Sequence, residues 1–177
     1  MSKLVELGTI LEIHRGKMPL NFSSEPKAGY FPYLDVEWMR TGRIRRYCDS
    51  LKGVVCDVGD ILIVDRGSVG LVGKAIQGVI GSTLVRLSSE HLIRDFLYYF
   101  LLDKEHLLKS KGKSAMIPQI DWNFLKSLQI PLPSLDEQQK LVEPLVLLDA
   151  EGGASSAFKN SADFIKKQSS RKLLKAS

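Results

Sequence analysis

An Ile-Pro-Leu-Pro run at residues 130–133 divides the sequence into two parts of different character. Proline fixes its own backbone angle and restricts the residue before it, so this stretch must be extended. Ser134 and Glu137 follow at the spacing of a capping box, in which each side chain accepts from the other residue's backbone amide. A helix is therefore predicted to begin directly after an extended segment, at the boundary between a globular body and a helical extension.

The body has the pattern of short strands broken by turns. β-branched and aromatic residues concentrate in five segments, and glycines punctuate them. The predicted strands are Thr9–Ile13, Tyr30–Leu34, Asp60–Val64, Gly73–Ile76 and Thr83–Leu87. This pattern indicates a twisted β-sheet or a partial barrel with long loops.

Helical periodicity replaces the strand pattern after residue 87. A helix capped by Ser88 or Ser89 is predicted to run through Leu102, with a stripe of core residues at Leu92, Phe96 and Tyr99. A second short helix is predicted over Lys104–Lys109, a helical turn over Trp122–Ser127 and a last strand over Leu128–Ile130. Trp38 and Trp122 are expected to be buried or to anchor loops. The fold class is therefore α+β, with helices flanking the sheet.

The part after the boundary has the spacing of a coiled coil. Apolar or small residues recur at steps of three and four, which predicts a long helix with a seam. The seam includes Leu141, Leu145, Leu148, Phe158, Ile165 and Leu173. Pro144 and Gly152-Gly153 weaken this helix. A seam of this kind needs a partner helix, either from a second copy or from a longer form of the chain, and the predicted domains are residues 1–133 and 134–177.

Basic residues are clustered rather than evenly spread. The formal net charge of +5 favours a polyanionic partner only weakly, but arginines crowd residues 40–46 and lysines crowd residues 109–113. These groups either bind such a partner or form solvated surfaces, and Arg66 either contacts phosphate or pairs with Asp65 or Asp60.

Motifs that would indicate catalysis are missing from the sequence. It contains neither a glycine-rich loop that ends in Gly-Lys-Ser/Thr for nucleotides nor a Gly-x-Ser-x-Gly elbow, and the three histidines lack metal-ligand spacing. The apolar runs are too short to cross a membrane. Cys48 and Cys56 are expected to stay reduced in the cytoplasm. We expect a cytoplasmic protein that is not an enzyme and needs no cofactor or metal.

The segment Leu128–Val142, which reads LQIPLPSLDEQQKLV, resembles the signature that ends each target-recognition domain in the specificity subunits of type I restriction-modification systems. Five further pieces resemble that family in the same order. They are Leu7-Gly8 with Arg15-Gly16-Lys17, Pro32-Tyr33-Leu34, Gly59–Ile63 with Arg66-Gly67-Ser68, Phe96–Leu101 and Ser114–Ile120. The resemblance covers essentially the whole chain.

The resemblance implies sequence-specific recognition of double-stranded DNA without an active site. The DNA contacts predicted on that basis are Lys17, Arg40, Arg43, Arg45, Arg46, Arg66, Lys111, Lys113, Ser114 and Gln119. In that family two recognition domains are separated by long antiparallel helices, on which DNA methyltransferase subunits dock, and a restriction and translocase subunit joins them. This sequence has one such domain and one helix, so it would read half of a bipartite target and associate with itself through the helix. The alternatives are a recognition domain of a fused restriction-modification enzyme and a coiled-coil adaptor that does not bind DNA.

Overall fold

The computed structural model of the chain describes residues 2–112 and 116–150. Within these residues the chain forms four α-helices and three β-sheets. The strands are β1 (Lys3–Glu6), β2 (Glu12–Arg15), β3 (Phe22–Ser23), β4 (Phe31–Leu34), β5 (Tyr47–Cys48), β6 (Val54–Cys56), β7 (Ile61–Val64), β8 (Val72–Lys74), β9 (Gly78–Ile80), β10 (Leu84–Ser88) and β11 (Gln129–Leu132). The helices are α1 (Val36–Thr41), α2 (Arg94–Ser110), α3 (Trp122–Ser127) and α4 (Leu135–Ala150).

Strand β7 lies at the centre of the fold. It belongs to an antiparallel sheet of order β2-β10-β7-β8, and all four of its residues are buried. Ile61 and Ile63 pack into the core beneath α2, whereas Leu62 and Val64 pack into a second core beneath α1. A strand that is covered on both faces must be apolar at every position, which explains the unbroken Ile-Leu-Ile-Val run.

The two cores confirm the main burial predictions. Leu92, Phe96 and Tyr99 are all buried beside β7. Trp38 is buried on the other side, where it anchors α1. Next to this second core lies a sheet of order β3-β5-β4-β9-β6, in which β4 and β9 run parallel. The architecture is mixed α+β as predicted, but the strands are divided among three sheets instead of one.

The prediction of two separate helices between residues 88 and 109 is wrong, because the structure has one helix there and it starts later. Ser88 is the last residue of β10 and pairs with Glu12, so it cannot cap a helix. Helix α2 begins at Arg94 and continues without a break to Ser110, because no glycine or proline interrupts it.

The first predicted strand is also displaced. Residues Leu7–Thr9 form a single 3-10 turn, and β2 begins only at Glu12. The side chain of Leu7 is buried in the core beneath α2, and its amide donates to the carbonyl of Leu128 at 2.8 Å. This contact with a distant segment fixes the turn.

Helix α4 starts at the predicted capping box. The amide of Ser134 donates to Glu137 Oε2 at 3.2 Å, and the amide of Glu137 donates to Ser134 Oγ at 3.3 Å. The helix continues through Pro144 to Ala150. Its buried residues Val142 and Leu145 pack into the core that α2 covers, whereas Leu148 is 44% exposed. The predicted seam positions Phe158, Ile165 and Leu173 lie outside the described residues, as does the rest of the predicted coiled coil.

Candidate nucleic-acid interface

A buried carboxylate at the end of β7 organises the basic residues around it. Asp65 Oδ1 accepts a hydrogen bond from the indole Nε1 of Trp122 at 2.8 Å. Asp65 Oδ2 lies 3.5 Å from a guanidinium nitrogen of Arg15 and 3.7 Å from Nε of Arg66. The Arg15 guanidinium also lies over the Trp122 ring, 4.5 Å from its centroid. Both arginine side chains are more than half exposed. The buried carboxylate therefore orients the two guanidinium groups while much of each remains accessible to solvent.

The loop after β7 connects this cluster to the segment before α3. The amide of Gly67 donates to the carbonyl of Pro118 at 3.0 Å, and the amide of Ile120 donates to the carbonyl of Asp65 at 2.9 Å. Between these bonds Arg66 and Gln119 form an antiparallel bridge. Gly67 has a φ of 85°, a conformation that favours glycine and allows the turn. Two predicted DNA contacts that are far apart in the sequence are therefore neighbours.

Helix α1 brings a further predicted residue to the same loop. Asp35 caps the helix by accepting from the amide of Trp38 at 2.9 Å, and Gly42 ends it with a φ of 71°. Arg40, in the last turn, donates to Ser68 Oγ. The structure thus joins Arg40, Arg66 and Gln119 in one surface with Arg15 and Ser68, which we call the Asp65 cluster. Arg15 and Ser68 were not predicted as contacts.

The remaining predicted residues lie around this surface or apart from it. Lys17 is exposed shortly after β2, and Lys111 is exposed at the end of α2. Arg43 and Arg45 are exposed in the loop between α1 and β5. Arg46 instead lies over two rings, 4.5 Å from the centroid of Phe22 and 5.0 Å from that of Tyr33. Lys113 and Ser114 lie outside the described residues.

A second polar cluster surrounds Asp60, which precedes β7. Asp60 pairs with Arg94 at 3.0 Å and with Arg86 at 3.5 Å, so its charge is compensated within the chain. A pocket of about 330 Å³ beside it includes His14, Glu12 and Ser88. His14 Nε2 lies 3.2 Å from Ser88 Oγ and 3.4 Å from Glu12 Oε2.

This cluster does not have the geometry of a catalytic triad. In a triad one imidazole nitrogen contacts the nucleophile while the other contacts the acid, whereas here one nitrogen contacts both. Among residues 2–112 and 116–150, no group of three or more histidine, cysteine or acidic side chains is placed to hold a metal ion. Within the same ranges, no helix combines the length and the apolar character that a membrane span requires.

Comparison with known proteins points to one family. The sequence model of the type I restriction modification DNA specificity domain matches residues 2–154. The type I restriction enzyme MjaVIII specificity subunit of Methanocaldococcus jannaschii is 32% identical over 147 residues, which are 81% of this chain and 35% of that protein.

Solved structures of specificity subunits have a similar fold. The HsdS subunit from Thermoanaerobacter tengcongensis aligns with a TM-score of 0.65 and 25% identity over 93% of this chain and 44% of that one. The S subunit of the type I restriction-modification system from M. genitalium aligns with a TM-score of 0.63 and 21% identity, covering 84% of this chain and 39% of that one. The chain therefore spans less than half the length of each of these proteins.

Proposed function

Because the chain belongs to the family of type I restriction-modification DNA specificity domains, we propose that it reads one half of a bipartite target in double-stranded DNA and catalyses no reaction itself. The observation that carries this proposal is the Asp65 cluster. It presents Arg15, Arg40, Arg66 and Gln119 on one surface, held by a buried carboxylate and a structured loop.

The chemistry of this surface suits both parts of DNA recognition. Exposed guanidinium groups neutralise phosphates and fix the register of the protein on the duplex. Arginine can also donate two hydrogen bonds to guanine, and glutamine can pair with adenine in the same bidentate manner. Because Arg66 and Gln119 are bridged backbone to backbone, they would approach neighbouring base pairs together.

Helix α4 is the proposed attachment point for other subunits. Leu147 and Leu148 remain exposed after Val142 and Leu145 have been buried against the body. We propose that this outer face, together with the seam beyond residue 150, either docks methyltransferase subunits or pairs with a second copy of the helix. A restriction and translocase subunit would then join the methyltransferase complex. An antiparallel pair would place two recognition domains over two half-sites.

Binding of duplex DNA by the full chain at several salt concentrations tests the central proposal. Each phosphate contact adds about 0.9 to the slope of log affinity against log salt. Arg40→Ala with Arg66→Ala should flatten the slope and weaken binding, whereas Lys140→Ala on α4 should change neither. Equal DNA affinities for the unaltered chain, the double arginine variant and the Lys140→Ala variant would contradict the assignment of this surface to DNA. The absence of any DNA binding would favour the adaptor alternative.

The fused-enzyme alternative involves the same DNA-reading surface and differs only in the partners. A catalytic module encoded in the same reading frame would favour it. Separate neighbouring genes for a methyltransferase and a nuclease would favour the multisubunit complex.

A further inference from the structure

Two adjacent apolar side chains stand at the outer edge of the Asp65 cluster. Met116 is fully exposed and Ile117 is 64% exposed. The chain on their C-terminal side is fixed, because the carbonyl of Pro118 accepts from Gly67, Gln119 is bridged to Arg66, and Ile120 is buried. Ile117 and Met116 therefore lie two and three positions before Gln119, a predicted base reader, and the core sets the position of the residues that follow them.

The surroundings of this pair identify the partner by charge. Arg66 and Arg40 stand on the neighbouring loop and helix, and Lys111 is exposed at the end of α2. Asp65, the acid at the centre of the cluster, is buried and already paired with Arg15 and Arg66. A polyanion is the partner whose charge complements these basic residues. When it binds there, Met116 and Ile117 meet an apolar part of that polyanion.

In the major groove of DNA the apolar group on the base edges is the 5-methyl of thymine, while the other positions carry hydrogen-bond donors and acceptors. We propose that Met116 and Ile117 contact a thymine methyl group and so make the half-site specific for a T·A pair next to the position that Gln119 reads. This inference rests on the proposed function. The inference adds to the proposed function two specificity-determining residues whose side chains donate no hydrogen bond.

The test begins with selection of a binding site from randomised duplexes by the full chain. Each thymine of the selected site is then replaced by deoxyuridine, which keeps the pairing edge but lacks the methyl group. One replacement should weaken binding by about three- to fivefold, the value of burying a methyl-sized group. The Met116→Ala/Ile117→Ala variant should bind the thymine and uracil duplexes equally. Val58→Ala is the matched control, because Val58 is 71% exposed in the turn that precedes β7, and it should keep the discrimination.

Several results would overturn the inference while leaving DNA recognition intact. A selected site without a fixed T·A pair would do so, as would a uracil penalty that persists in the double variant. If the Met116→Ala/Ile117→Ala variant lost the same affinity for every duplex, the two residues would contact DNA without regard to its sequence. If the full chain selects no DNA at all, the inference fails together with the proposed function.

Discussion

The indole of Trp122 donates a 2.8 Å hydrogen bond to the carboxylate of Asp65, which stands 57 positions earlier in the sequence. Trp122 begins α3, and Asp65 follows the central strand β7. The bond therefore joins the closing part of the fold to its centre. The same carboxylate faces the guanidinium groups of Arg15 and Arg66. One buried acid thus links packing of the body to the orientation of the proposed DNA contacts.

Replacing Asp65 with asparagine should separate these two roles. The amide oxygen can still accept from Trp122, so the chain should fold, with a loss of about 1–3 kcal/mol for the charged hydrogen bonds. Arg15 and Arg66 lose their anchor, so the ratio of specific to random DNA affinity should fall several-fold. Chemical denaturation and competition binding measure the two effects. Asp103→Asn, which removes the partner of Lys104 on α2, is the control, and an unchanged affinity ratio for Asp65→Asn would refute the role.

Two neighbouring arginines in the loop before β5, Arg45 and Arg46, should behave differently when they are replaced. Both side chains are exposed, but Arg46 lies over the rings of Phe22 and Tyr33. Cation–π contacts at exposed sites contribute about 0.5–1 kcal/mol each. Arg46→Ala should therefore lower the free energy of unfolding by about 1 kcal/mol, while Arg45→Ala should leave it nearly unchanged. Equal stabilities in urea would show that the stacking does not contribute.

The two cysteines should be unreactive in the folded chain. Cys48 and Cys56 are free and buried, and burial raises their pKa values to about 11 and about 12. Because the thiolate is the reacting form, neither should be alkylated by iodoacetamide at pH 8, while both should react in denaturant. The folded pKa exceeds the usual value of 9.0, so their contribution to stability should decrease as pH rises above that value. Rapid modification of the native chain would contradict this.

The sequence predicts the features that local chemistry determines. The capping box at Ser134, the apolar strand β7 and the core stripe of Phe96 and Tyr99 follow from spacing alone, and all three are confirmed. Strands of two or three residues, such as β3 and β5, carry too few positions for an alternating pattern to appear.

The start of α2 shows why other features escape prediction. Ile93, which caps it, has no side chain that can accept a hydrogen bond. Its amide donates instead to Gln138 Oε1, 45 positions later. Likewise, the residues next to Arg15 in the sequence do not indicate that it pairs with Asp65. The two residues meet because β2, which ends at Arg15, and β7, which ends just before Asp65, lie in the same sheet. Such features require the tertiary structure.

Self-association through α4 and the segment beyond it should depend on the predicted seam positions. Leu148 is exposed, whereas Leu145 is buried in its own chain and is unsuitable as a probe of a second copy. Changing Leu148, Phe158 and Ile165 together to glutamate should leave a monomer, because buried like charges would face each other across the pair. Sedimentation at high micromolar concentration measures this, with Lys140→Glu as the control. A monomeric unaltered chain would contradict the proposal, and so would a dimer that survives the triple change.

Gln138 forms the link between α4 and the rest of the chain. Its side chain is fully buried, where Oε1 accepts from the amide of Ile93 at 2.9 Å. Nε2 donates to the carbonyl of His91 at 2.8 Å and to that of Pro133 at 3.0 Å. A primary amide is the one uncharged side-chain group that offers two N–H donors together with a carbonyl acceptor, which is what these three bonds require.

Gln138→Glu should therefore destabilise the chain more than its small change in size suggests. A carboxylate cannot donate to the two carbonyls, and burial beside them with only the Ile93 amide as a donor disfavours its charged form. The loss should be about 3 kcal/mol or more near neutral pH. It should shrink as pH falls, because the protonated acid regains one donor. Urea denaturation across pH measures the difference from the exposed neighbour Gln139→Glu, which should stay close to the unaltered chain. A loss that is equal for both variants, or independent of pH, would show that the three hydrogen bonds of Gln138 do not hold α4 in place.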